Sequence, residues 1–173
     1  PRIWASNSVC QPYRPASENT SKTKAEVDKA VAMQTLLIQS CSKSKREPGE
    51  PVPALELYSG YYYKIIKKAK REGDFNSNID ICILSAKHGL IDSDTNLVFY
   101  DQKMDSERAQ EIRDDVKMAL KSRLDTHTYD EVLINMGQPY REAIHGIEDE
   151  IDTPVRVIAV KLGERGRKLK QRI

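Results

Sequence analysis

Two lysines and several small hydroxyl residues follow a short apolar run early in the chain. The apolar run occupies residues 35–39, and the loop after it reads Ser40-Cys41-Ser42-Lys43-Ser44-Lys45. Small side chains let backbone N–H groups approach an anion, and lysine side chains add positive charge. A solvated turn after a strand explains the same residues about equally well. We therefore treat this loop as a candidate phosphate- or anion-binding site, whose ligand-binding residues are Ser40, Cys41, Ser42, Lys43 and Lys45.

A second segment repeats this pattern. The apolar residues 79–84 are followed by Ser85-Ala86-Lys87-His88-Gly89. A histidine in such a loop can act as a general acid or base near neutral pH. A loop-stabilising histidine is the alternative, and the sequence supports the two about evenly. We take His88 and Lys87 as candidate catalytic residues, and Ser85 and Gly89 as candidate ligand-binding residues.

Cys41 invites interpretation as a nucleophile, because a neighbouring cation such as Lys43 activates a thiol. No Cys-His-Asn spacing accompanies it, and the sequence favours a buried structural thiol. The three cysteines of the chain show no metal-ligand spacing and form no even-numbered disulfide framework. They fit a reducing, cytoplasmic setting, and we predict neither a metal site nor a cofactor.

Tyr100 and Asp101 end a long irregular stretch that could fold over the loops as a lid. Asp101 would then supply a carboxylate for proton transfer, and Tyr100 a ring for stacking on a base. The nearby Asp92 and Asp94 are explained by turn chemistry, since the glycine and terminal glutamate of a calcium loop are missing. We take Asp101 as a third candidate catalytic residue.

The elements that must position these loops are alternating strands and helices. Apolar runs predict strands over 35–40, 79–84, 131–135 and 155–160, and helical patterns separate them over 54–72, 104–124 and 138–148. Helical crossovers of this length imply parallel strands. We predict an α/β fold over residues 34–173, a three-layer Rossmann-like domain with a mainly parallel sheet of about four strands. Neither a G-x-G-x-x-G fingerprint nor a Walker A pattern is present.

Parallel strands would bring the polar loops to one edge. Ligands bind at the carboxyl ends of the strands in open α/β sheets. The third strand adds Gly137 to this edge as a candidate ligand-binding residue, followed by Gln138 and Tyr140. Convergence of several polar loops is stronger evidence for a site than any single loop.

Composition narrows the classes of partner. The chain has 173 residues, 39% hydrophobic and 31% charged, with a net charge of +2, which argues for neither nucleic acid nor membrane. No apolar run approaches the roughly 20 residues needed to cross a membrane. Basic residues nevertheless cluster over 64–71 and 165–172.

Residues 1–33 are expected to form a polar N-terminal extension or linker with a short helix over 22–33. Trp4 differs from the polar residues around it, and a lone Trp in a tail usually packs against another surface. The sequence starts at Pro1 rather than Met, which suggests either a trimmed chain or a piece of a longer protein.

The assembled motifs resemble a family of small bacterial and archaeal proteins of unknown function that are similar to the peroxide-stress protein YaaA. The motifs are the Ser40–Lys45 loop, Leu57-Tyr58-Ser59-Gly60, the segment from Ser85 to Ile91, and Tyr100-Asp101. YaaA is linked to DNA binding and to protection from oxidative damage. The loop with Cys41 is also similar to the catalytic module of archaeosine synthase, which works on a deazaguanine base in tRNA. The resemblance implies a nucleobase or nucleic-acid ligand and adds Tyr58 as a ligand-binding residue.

Three hypotheses follow. The first is an enzyme that acts on a nucleotide, nucleobase or modified base by glycosyl transfer or hydrolysis, with Lys43 holding an anion. The second is a non-catalytic DNA- or RNA-binding module of YaaA-like type, and the third is an interaction domain inside a longer chain.

Overall fold

A computed structural model describes residues 33–173. Its strands are β1 (Thr35–Ser40), β2 (Val52–Pro53), β3 (Ile79–Ser85), β4 (Gly89–Asp92), β5 (Asn96–Leu97), β6 (Glu131–Asn135) and β7 (Val155–Val157). This part of the chain also has six α-helices: α1 (Ala54–Leu57), α2 (Tyr61–Glu72), α3 (Ser106–Glu111), α4 (Arg113–Thr126), α5 (Gln138–Glu142) and α6 (Leu162–Arg172). A 3-10 turn spans Ile147–Asp149.

The fold is mixed α/β around a mostly parallel sheet of five strands. The strand order is β4-β3-β1-β6-β7, and β2 and β5 form a separate antiparallel pair. β1 pairs in parallel with both β3 and β6, and β6 pairs in parallel with β7. The prediction of parallel strands is confirmed for these four. Their near-continuous apolar runs reflect burial on both faces.

Two hydrophobic cores lie on opposite faces of the sheet, because successive residues of a strand point to opposite sides. Leu36 and Ile38 join the core that helices α3, α4 and α5 cover, whereas Leu37 joins the core beneath α2 and α6. All three side chains are fully buried. Each contributes about 2 kcal/mol to folding by leaving water.

β4 is a correction to the predicted sheet of about four strands. The sequence pattern over residues 89–92 was interpreted as loop, but these residues pair antiparallel with β3 at the sheet edge. Gly89 has a φ of +70°, which lets the chain turn back directly after β3. The fourth predicted strand is also shorter than expected, because the ladder ends at Val157 rather than at residue 160.

The predicted helix over 54–72 is interrupted at residues 58–60. Tyr58 bridges to Lys45 in an antiparallel β-bridge. Gly60 has extended backbone and precedes the first residue of α2. This tertiary pairing overrides the local helical pattern. The helix ends at Glu72, as the span predicts, and Gly73 follows it with φ at +77°.

Two other predicted helices are also divided. The helix over 104–124 breaks at Ile112. Asp105 caps its first part, because its side chain accepts a hydrogen bond from the Arg108 N–H. The helix over 138–148 ends at Glu142, before the left-handed Gly146. The short helix predicted over 22–33 and the docking of Trp4 concern residues 1–32, which lie outside the described part. Within residues 33–173, no helix is long and apolar enough to cross a membrane.

Candidate ligand-binding site

The strand order reverses between β1 and β6. The chain leaves β1 through α2 to reach β3 on one side, and it leaves β6 to reach β7 on the other side. In open α/β sheets, ligands bind outside the carboxyl ends of the strands at such a switch point. Here the loop after β1 and the start of α5 flank that crevice.

A cavity of about 540 Å³ lies at this position, and we call it the main cavity. The loop after β1 contributes Cys41, Ser42, Lys43 and Lys45 to its wall. The segment before α3 contributes Asp101, Gln102, Lys103 and Met104, and α5 contributes Tyr140. The volume falls within the usual range of small-molecule sites, roughly 300–1,000 Å³.

Cys41 and Tyr140 meet across the switch point. The Cys41 Sγ lies 3.0 Å from the Tyr140 hydroxyl oxygen, and the cysteine is 7% exposed. Burial raises the pKa of Tyr140. The hydroxyl therefore keeps its proton at neutral pH and is available as a hydrogen-bond donor beside the thiol.

Tyr100 anchors the segment that forms the opposite wall. Its hydroxyl lies 2.6 Å from the Tyr58 hydroxyl and 2.7 Å from the Ser85 Oγ, and all three residues are buried. Burial raises the pKa of Tyr58 to about 12 and raises that of Tyr100 as well. These hydroxyls stay protonated and form a hydrogen-bonded chain from α1 to β3.

Cationic and imidazole side chains surround the Tyr100 ring. The Lys45 Nζ lies 4.5 Å from the ring centroid and the Lys87 Nζ lies 5.6 Å from it, which are cation–π distances. The His88 ring meets Tyr100 edge-on, with centroids 5.1 Å apart. Partial burial, and then the charge of Lys87, lower the pKa of His88, so its neutral form is favoured near pH 7.

The turn that carries Lys87 and His88 is held from both sides. Their backbone N–H groups donate to the Ser85 Oγ at 3.2 Å and 3.1 Å. From helix α3, the Arg108 Nε donates a hydrogen bond to the Ala86 carbonyl oxygen at 2.7 Å. Ser85 is therefore a structural centre of this turn as well as a partner of Tyr100.

The structure brings together part of the predicted site. Five predicted residues line the main cavity: Cys41, Ser42, Lys43, Lys45 and Asp101. Tyr58, Ser85 and Tyr100 support its wall from behind. Lys87 and His88 contact Tyr100 but are not among the residues that line this cavity.

Three predicted ligand-binding residues contribute through their backbone. The Ser40 carbonyl oxygen accepts a hydrogen bond from the Tyr63 hydroxyl at 2.9 Å. Gly89 makes the turn into β4, and Gly137 precedes the first turn of α5. They shape the edge of the sheet.

The lysines of the main cavity are not neutralised by neighbouring acids. Within residues 33–173, Lys43, Lys45 and Lys103 have no carboxylate within 4.0 Å, whereas other cations of this part form ten ion pairs. Asp101 is exposed at the rim. The arrangement can bind an anion and present one carboxylate to it.

Sequence reasoning missed several wall residues. Gln102, Lys103 and Met104 follow Asp101 directly, so the lid hypothesis contained the signal for them. Tyr140 was placed at the correct edge but not in the site. Its contact with Cys41 spans 99 positions of sequence, and no local pattern reports it.

The fold and the site define an α/β protein with a cavity at the carboxyl edge of a mostly parallel sheet. The chain belongs to a family of unknown function, DUF6884, whose profile matches residues 36–171. No curated protein is detectably similar to the chain.

One solved structure shares the fold. It is the crystal structure of AF0587, a protein of unknown function, with a TM-score of 0.52 and 18% sequence identity. The match covers 82% of this chain and 44% of AF0587, so the chain corresponds to less than half the length of that protein.

Proposed function

We propose that this domain is an enzyme that acts on a nucleotide, nucleobase or modified base, by glycosyl transfer or hydrolysis. The observation that carries the proposal is the main cavity at the switch point. It combines lysines without acidic partners, a carboxylate at the rim and the half-buried hydroxyl residues Ser42 and Tyr140. A phosphate-bearing ligand with a polar base matches these groups in charge and in hydrogen bonding.

Each wall of the main cavity has a role in this proposal. Lys43 and Lys45 bind the phosphate, and the Tyr140 hydroxyl donates a hydrogen bond to the ligand. The buried Met104 side chain gives the base or sugar an apolar surface.

Asp101 acts as the base in hydrolysis. It removes a proton from a water molecule that attacks the sugar carbon, and the bond between sugar and base breaks. The base leaves with the electron pair and takes up the proton that Asp101 has accepted. In glycosyl transfer, an incoming base replaces the water. His88 and Lys87 act through Tyr100, because they contact its ring and hold the wall in place.

A thermal-shift panel on the full chain tests this proposal. Ribonucleoside and deoxyribonucleoside 5′-monophosphates, nucleosides and free bases are added separately. A ligand at about 100 times its Kd raises stability by about 2.7 kcal/mol. We expect a shift with a monophosphate that is lost in Lys43→Ala.

Lys168→Ala is the matched control, because Lys168 is an exposed lysine on α6 outside the main cavity. It should leave the shift unchanged. Turnover is then measured as the release of free base, and Asp101→Asn should abolish this release. A panel without any shift, or a shift that survives Lys43→Ala, would contradict the proposal.

A non-catalytic DNA- or RNA-binding module is the second candidate, and one observation favours it. The two basic segments of the sequence lie on α2 and α6, which pack side by side against the same core. Exposed cations on this pair of helices include Lys64, Lys68, Arg71, Arg167 and Lys168. In this alternative, these cations make up a basic face that binds a phosphate backbone.

Salt dependence distinguishes the two candidates. Binding to the basic face should weaken steeply with salt, because each neutralised phosphate releases counterions. Lys64→Ala combined with Lys168→Ala should weaken oligonucleotide binding and leave mononucleotide binding intact. A flat salt dependence would exclude the basic face as the binding surface.

Three finer points belong to the same proposal. The YaaA-like resemblance is supported by the placement of its motifs at one edge of the sheet. A three-layer, Rossmann-like arrangement is supported by the two cores on opposite faces. A cytoplasmic location is supported by the free thiols of Cys41 and Cys82.

A further inference from the structure

A second cavity, of about 450 Å³, adjoins the main one. Cys41, Ser42 and Lys43 line both cavities, so this short segment is a shared wall. On its far side the second cavity is lined by the first turn of α2, including Tyr61 and Tyr62. Both volumes suit a nucleoside-sized group.

We propose that the two cavities bind neighbouring nucleotides of one strand, so that the substrate is a base within a polynucleotide rather than a free nucleotide. This inference rests on the proposed function and names its substrate class. The main cavity holds the reacting nucleotide, and the second cavity holds the nucleotide next to it.

The shared wall suits the phosphodiester between the two nucleotides. Lys43 is exposed on this wall and has no acidic partner among the described residues. Ser42 lies beside it, and its Oγ accepts a hydrogen bond from the Gly60 N–H at 3.2 Å, which ties the wall to the start of α2. A single lysine at the junction therefore neutralises the linking phosphate.

Tyr61 provides a stacking surface in the second cavity. It is 56% exposed although its ring is held in place, because it packs against the backbone of Gly166 and meets Tyr62 edge-on at 5.4 Å. A Cβ at residue 166 would lie 2.4 Å from the Tyr61 ring, so α6 approaches it closely. A ring that is already ordered stacks on a base at little entropic cost.

The test compares mononucleotides with dinucleotides on the full chain. The probes are the ribonucleoside and deoxyribonucleoside 5′-monophosphates and the matching 5′-phosphorylated dinucleotides, titrated calorimetrically. We expect the best dinucleotide to bind about tenfold more tightly than the best monophosphate, as one additional stacked base provides.

Two substitutions test whether Tyr61 provides the gain in dinucleotide affinity. Tyr61→Leu keeps the bulk against Gly166 but removes the aromatic face, so it should abolish the gain and leave monophosphate binding unchanged. Tyr61→Phe keeps the face and should keep the gain. Thermal melting checks that both variants are folded.

The outcomes separate this inference from the proposed function. Equal affinities for monophosphates and dinucleotides, with both lost in Lys43→Ala, would overturn the second subsite and leave the proposed function standing. A dinucleotide gain that survives Tyr61→Leu would also overturn the subsite. Absence of binding by any nucleotide would overturn both.

Discussion

The parallel strands of the sheet begin at one edge, the amino edge, and end at the opposite one, the carboxyl edge. These two edges use their polar residues in opposite ways. At the amino edge, the Glu131 side chain is buried and its charge is paired within the protein. Its carboxylate accepts hydrogen bonds from the Thr35 hydroxyl at 3.1 Å and from the Arg172 guanidinium, and it forms an ion pair with Arg156 at 3.2 Å. These contacts tie α6 and three strands, β1, β6 and β7, together.

At the carboxyl edge, the buried groups pair with one another and the charged groups do not. The Tyr100 hydroxyl is hydrogen-bonded to both the Tyr58 hydroxyl and the Ser85 Oγ. Lys43 and Lys45, by contrast, have no carboxylate partner within residues 33–173. The comparison teaches that the amino edge uses its charges to hold the fold, whereas the carboxyl edge leaves its charges available to a ligand.

Removal of the amino-edge carboxylate should have the largest effect on stability. Glu131→Ala leaves Thr35 and two arginines without their partner, and we expect it to lower the free energy of unfolding by about 3 kcal/mol. Urea unfolding measures this loss. Nucleotide affinity should be unchanged under conditions where the variant is folded. A loss below about 1 kcal/mol would show that the amino edge does not hold the fold in this way.

The second-largest effect on the free energy of unfolding should come from alkaline pH, which acts on the buried tyrosines of the carboxyl edge. Burial raises the pKa of Tyr58 from its ordinary value of 10 to about 12, so the folded state holds this proton more tightly than the unfolded state does. The stabilising contribution is fully present below pH 10 and is lost as pH rises toward 12.

Unfolding free energies measured across this pH range test the effect, and Tyr58→Phe should make the decline shallower. Tyr129 and Cys82 also have pKa values raised to about 12, so the comparison is between the variant and the parent chain. An unaltered decline in Tyr58→Phe would contradict the prediction.

Loss of the Tyr100 hydroxyl should have a moderate effect on stability and a clear effect on the site. Tyr100→Phe leaves Tyr58 and Ser85 short of one partner, which costs about 1–2 kcal/mol. It also loosens the wall that carries Asp101, so nucleotide binding should weaken.

Tyr129→Phe is the matched control near the amino edge, since the Tyr129 hydroxyl donates to the Asp80 carboxylate at 2.7 Å. It should lower stability by a similar amount and leave binding intact. Equal effects of both variants on binding would remove the distinction between the edges.

The smallest change in stability is expected for Lys43→Ala. Lys43 is exposed and unpaired among the described residues, so its removal should shift the free energy of unfolding by less than about 0.5 kcal/mol. Urea unfolding again measures it. A larger loss would show that Lys43 holds the loop and is not reserved for a ligand.

The sequence allowed the strands and the edge of the site to be predicted because both depend on local signals. Buried parallel strands produce continuous apolar runs, and their order along the chain fixes which loops meet. The sequence therefore predicts Lys43 and Gly137 at the same edge, and the lid hypothesis adds Asp101.

The rest depends on contacts between distant residues. The break before α2 comes from the pairing of Lys45 with Tyr58, and the contact between Cys41 and Tyr140 joins loops of different strands. The role of Glu131 was missed because a single acidic residue at the start of a strand gives no signal of its two arginine partners. The edge strand β4 was missed because a short segment after a glycine resembles a loop.

Hydrogen–deuterium exchange of the full chain, with and without a saturating nucleoside monophosphate, tests the central claim most directly. The account predicts slower exchange over residues 40–45, 100–104 and 137–141, with no change at the amino edge over residues 34–36 and 130–132. Exchange that slows at the amino edge, or that is unchanged in all of these segments, would contradict it.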